Sequence, residues 1–160
     1  MRFFKSVTIF ALLTAFVACS SHKTTVSTGD ATVSSDDANK TTTITTKDGS
    51  ETIGKNAVDP AKLGVPVYPG AQAGESGVSV AGASGTTQMV SLTTTDSFDK
   101  VFDWYQGQLP KEDQTMKISN QDSSTAEFTI GANGKSPATA TIMITSKKDK
   151  TDILIFKGTK

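Results

Sequence analysis

The chain has 160 residues, with 16 basic and 16 acidic side chains, one histidine and one cysteine. Arg2 is its only arginine, so nucleic acid, which calls for a basic face and guanidinium forks, is not an expected partner. One cysteine allows no internal disulfide, and Cys19 with His22 is too small a set for a zinc site or a histidine-based nucleophile; no catalytic residue, metal or cofactor is expected.

Arg2 and Lys5 form a positive start to the chain, and Val7–Val17 is a compact apolar run. That layout is an export signal, removed in the mature chain. At about 1.5 Å per residue the run covers roughly half of a hydrocarbon core of about 30 Å, too little for a transmembrane helix. Its loss takes Arg2 and Lys5 with it and leaves a slight acidic excess. Val17-Ala18-Cys19 resembles the lipobox of bacterial lipoprotein signals, with Phe16 where an aliphatic residue is usual. The resemblance implies cleavage before Cys19 and acylation of that residue, with membrane attachment through the N-terminal lipid. Ser20 in the next position implies sorting to the outer membrane, facing the periplasm, in a two-membrane bacterium. Each buried methylene contributes about 0.8 kcal/mol, so several acyl chains hold without help from the folded part. Ordinary secretory cleavage after Cys19, giving a soluble secreted protein, is the alternative.

Residues 19–40 follow as a flexible linker. Ser20–Lys40 holds Ser, Thr, Asp, Ala and Lys with two isolated valines, Val26 and Val33, and shows neither a period of 2 nor one of 3.6. As a coil it would span roughly 25 Å root-mean-square. His22 lies in this spacer as a solvated residue.

Residues 41–160 form one domain. Thr41–Gly54 reads as a β-hairpin appended at an edge, with Asp48-Gly49 central in its turn and Ile44 opposite Ile53. In Val58–Ala71, Asp59-Pro60 starts one helical turn, Gly64 ends it, and Pro66 and Pro69 hold Val67-Tyr68 extended. Pro66–Ala71 resembles a Pro-x-Tyr-Pro-Gly-Ala motif of small, mostly uncharacterised bacterial envelope proteins, in which a strand and then an aromatic-faced helix follow. The resemblance implies a fold and no activity. Tyr68 is expected as a core plug with its hydroxyl bonded, and as a possible contact surface.

Gln72–Thr87 is glycine-rich around a short Val78–Val80 strand, without the Gly-Lys-Ser/Thr that a phosphate loop needs. Val90 and Leu92 share one face of a strand at Met89–Thr94. Ser97–Leu109 is the helix, with Asp96 as N-cap and Phe98, Val101, Phe102, Tyr105 and Leu109 on one stripe. Trp104 lies off that stripe and is the second candidate contact residue. Asp99 and Asp103, four apart, are the acids a rival reading requires, a carboxylate-dependent hydrolase of cell-wall or glycan substrates.

Met116–Ser119, Ala126–Ile130, Thr139–Ser146 and Ile153–Lys157 read as strands, with Asn133-Gly134 and Lys147–Asp152 as turns. The expected fold is α+β: an antiparallel sheet of five or six strands with one amphipathic helix packed across it. The expected function is a non-catalytic envelope lipoprotein that contacts envelope proteins or a small ligand.

Overall fold

The computed structural model describes residues 22–111, 114–119, 123–131 and 138–159. The export signal at 1–18, Cys19 and the Asn133-Gly134 turn lie outside the described residues. Ten antiparallel strands and one α-helix follow in chain order. The strands are β1 Lys23–Thr28, β2 Ala31–Asp36, β3 Thr41–Thr46, β4 Gly49–Gly54, β5 Gln72–Gly82 and β6 Gly85–Thr94; then helix α1, Phe98–Gln108; then β7 Gln114–Ser119, β8 Ser124–Ile130, β9 Ala138–Lys147 and β10 Lys150–Thr159. Their order in one sheet is β1-β2-β3-β4-β5-β6-β10-β9-β8-β7. The fold is therefore a mostly antiparallel sheet with a helix, but with ten strands rather than five or six.

Two of the additional strands occupy the expected linker. β1 and β2 cover Lys23–Asp36, where a coil is expected, and join through a two-residue Gly29-Asp30 turn. The alternation here is carried by hydroxyls instead of apolar side chains. Thr25 bonds Ser34 at 3.3 Å, and Ser27 bonds Thr32 at 3.1 Å. Ser35–Thr42 at 3.2 Å and Thr43–Thr52 at 3.0 Å carry the ladder into β3 and β4. Such cross-strand hydroxyl pairs each contribute a few tenths of a kcal/mol to about 1 kcal/mol.

The β3–β4 hairpin lies inside the sheet, between β2 and β5, and not at an edge. Its register also differs from expectation. Lys47 and Asp48 make the turn, so Ile44 faces Glu51 and Ile53 faces Thr42. Gly49 (φ 155°) is the first residue of β4, where a Cβ would run into the Ala81 carbonyl of β5. Close approach to β5 places the glycine at this position. A shift of two residues leaves each side chain on its original face, so both isoleucines still share one side.

On the helix side the core is dry and aromatic. Val90, Leu92, Ile153, Ile155, Ile142 and Ile144 form two cross-strand rows through β6, β10 and β9, all at 1% exposure or less. α1 lays Phe98, Val101, Phe102 and Tyr105 over them, and Leu109 packs at the margin. Phe128 of β8 meets the rings of Phe102 at 5.5 Å and Tyr105 at 6.1 Å. Val58, Leu63 and Tyr68 complete this layer from the β4–β5 connection. Asp59 caps a 3-10 turn at Pro60–Lys62, and Gly64 (φ 67°) follows it, as the sequence indicates. No residue of β1–β4 is buried: this half of the sheet is a single layer.

Candidate functional site

Asp96 sits where β6 passes into α1, and it gathers the polar contacts of that corner. Ser97, not Asp96, is the N-cap, accepting from the Lys100 amide at 3.4 Å. The Asp96 carboxylate is thus left for side chains. The Tyr68 hydroxyl donates to Oδ2 at 2.7 Å, and Lys100 Nζ donates to Oδ1 at 2.9 Å. The buried Thr151 hydroxyl donates to the Asp96 carbonyl at 2.7 Å.

The charges follow from these bonds. The Lys100 ammonium, and then the Tyr68 hydroxyl, hold the Asp96 carboxyl below its ordinary value. Asp96 raises Lys100 in return, while burial and then the bond to Asp96 push Tyr68 up. Tyr105, deeper in the core, is pushed up by burial, against a smaller opposing effect of the Tyr68 main chain.

The two aromatic candidates come together. Trp104 meets Tyr68 edge-on at 5.4 Å and Tyr105 edge-on at 4.8 Å. Tyr68 is 4% exposed, a core plug with its hydroxyl engaged; Trp104 is half-buried against the core margin. Of the pair, Trp104 alone is partly exposed. Asp99 is exposed and pairs with Lys117 of β7 at 3.2 Å, and Asp103 is exposed one turn further along. His22 is exposed, and its carbonyl accepts from the Asp37 amide beside β1. Among the described residues no cluster of His, Cys, Asp and Glu has the make-up of a metal site.

The surface feature that sequence reasoning missed lies on the other side of the sheet. Val26, Val33, Ile44, Ile53, Val80, Met116 and Ile118 are between 36% and 59% exposed, and the registers put all seven on the face turned away from α1. Ile53, Val78, Met89 and Phe156 make one continuous row across β4, β5, β6 and β10. Leu154 and Met143 extend it towards β8. An apolar face of this extent is a mark of contact surfaces. A lone apolar residue in each of KTTVST and TTTITT sets no period, so the face emerges only once the registers align Val26, Val33 and Ile44.

Open recesses of about 270 Å³ at the β3–β4 turn and about 230 Å³ at Gly70, Gln72 and Thr93–Thr95 sit on the rim, not between helix and sheet. No protein-family model, curated protein or solved structure matches this chain.

Proposed function

We propose that the protein is a membrane-anchored bacterial envelope lipoprotein whose domain is a non-catalytic scaffold for contact with envelope components. Cys19 carries the lipid, in the outer membrane facing the periplasm where the cell has two membranes. The Met1–Cys19 layout is the observation that carries this reading. The arrangement of the folded part supports it. The acids of α1 are exposed, one of them already ion-paired, and the large apolar face is open.

The described strands sharpen how such an anchor would work. Cys19 and the start of β1 at Lys23 are four residues apart, at most about 14 Å of extended chain. The sheet edge is then held close to the lipid, in place of a domain swinging on a long coil. Intact-mass measurement of the native mature protein is the test. Fatty-acyl mass on a chain beginning at Cys19 is the expected result; a chain cut after Cys19, or an unmodified Cys19, would sink the proposal.

A further inference from the structure

We infer that a second copy of this chain pairs with the outer edge of β1, joining two sheets into one through a symmetric antiparallel seam centred on Val26. Among the described residues β1 stands at one end of the sheet, and all of its residues are exposed. Sheet edges in natural proteins are usually guarded by proline, by a bulge or by a charge within the strand. β7, at the other end, has a register irregularity between Gln114 and Met116 and a lysine at position 117. β1 has no proline, pairs with β2 without a shift, and carries its one charge at its first residue, Lys23.

The hydrogen-bond parity fixes which groups are free. The Asp37 amide donates to the His22 carbonyl at 3.2 Å, next to the Lys23–Asp36 pair. Antiparallel ladders alternate, so even-numbered residues of β1 turn their main-chain groups to β2, and Lys23, Thr25 and Ser27 turn theirs outward. A copy placed with Val26 opposite Val26 sets Thr25 against Ser27 and Ser27 against Thr25. Both pairs then exchange their outward amides and carbonyls.

This seam repeats side-chain pairs that the chain already uses. Within β1–β2, Val26 faces Val33, Thr25 bonds Ser34, and Ser27 bonds Thr32. Across the seam the valine row continues on the apolar face and the hydroxyl pairs continue on the opposite one. Lys23 meets Gly29 of the second copy, with Asp30 next to it, so no like charges oppose. The inference does not depend on Cys19 being acylated.

The test uses the full mature chain in density-matched detergent. Sedimentation should give a dimer for the unsubstituted protein and a monomer for Thr25→Pro and Ser27→Pro. Both prolines remove an outward amide and leave the β1–β2 ladder whole. Unchanged circular dichroism and a retained cooperative unfolding transition show that these variants still fold. Val26→Cys probes the register: at a non-hydrogen-bonded pair the Cα atoms approach within disulfide range, so mild oxidation should cross-link it roughly tenfold faster than Val33→Cys. The unsubstituted chain, with Cys19 alone, is the control. A monomer at every attainable concentration, a dimer that survives both prolines, or equal cross-linking at positions 26 and 33 each overturns the inference.

Discussion

The Tyr68 hydroxyl donates to one oxygen of the Asp96 carboxylate at 2.7 Å, and this bond ties the β4–β5 connection to the start of α1. The two residues are 28 positions apart, so the bond closes a long loop instead of decorating a local turn. The Tyr68 carbonyl accepts from the Ala71 amide at 3.1 Å in the turn that follows. Removing the hydroxyl while keeping the ring isolates its contribution. Tyr68→Phe should lower unfolding stability by on the order of 1 kcal/mol in urea titration, since the ring still fills its place and Lys100 still satisfies the carboxylate.

The same corner sets an acid limit. Lys100 and Tyr68 depress the Asp96 pKa, so its folded value lies below its unfolded value of 3.8. A depressed carboxylate contributes stability that is present above the unfolded pKa and is lost as pH falls through the folded one. Stability should therefore fall on acidification below about pH 4, and Asp96→Asn should flatten that acid limb. Lys100 and Tyr68 are raised, so their contribution is present below their unfolded values and is lost as pH rises through the folded ones. Unfolding curves for both proteins across pH would check this; equal acid slopes would contradict it.

Much of the helix-side half was legible because its signals are apolar. The stripe from Phe98 to Tyr105 and the Val90–Leu92 alternation appear where the sequence places them. The β1–β4 half was less legible because it has no core to leave a pattern. Its order rests on cross-strand hydroxyl pairs, and a serine or threonine reads the same in a coil as in a ladder. Asp96 went astray for a related reason. It is a good capping residue by type, but Tyr68, distant in sequence, occupies it, and Ser97 takes the cap.

The two faces of the sheet should respond unequally to the loss of an isoleucine. Ile155 is fully buried under α1, while Ile53 on the far face is 42% exposed. Ile155→Ala should cost about 2–5 kcal/mol through lost burial and a residual cavity. Ile53→Ser should change stability by about 0.5 kcal/mol or less, as surface replacements usually do. If Ile53→Ser costs as much as Ile155→Ala in denaturant titration, the far face is covered in solution. If it is nearly silent alone but weakens capture by an envelope partner, the open face is the contact surface.

Gly49 tests whether the β4–β5 junction locks the single-layer half in place. Its φ of 155° is rare for other residues, and an added Cβ would meet the Ala81 carbonyl of the neighbouring strand. Gly49→Ala must therefore move a backbone that is hydrogen-bonded on both sides, at a cost of about 1–3 kcal/mol. Gly29, in the β1–β2 turn, has open space where a Cβ would go, so Gly29→Ala should be nearly neutral. The damage from Gly49→Ala should stay local, because the aromatic core under α1 lies beyond β5 in the sheet. Native-state hydrogen exchange distinguishes the cases: amides of β1–β4 should lose protection while those of β6, β9 and β10 keep theirs. Uniform loss across all strands would mean instead that the hydroxyl-paired half and the packed half unfold as one unit.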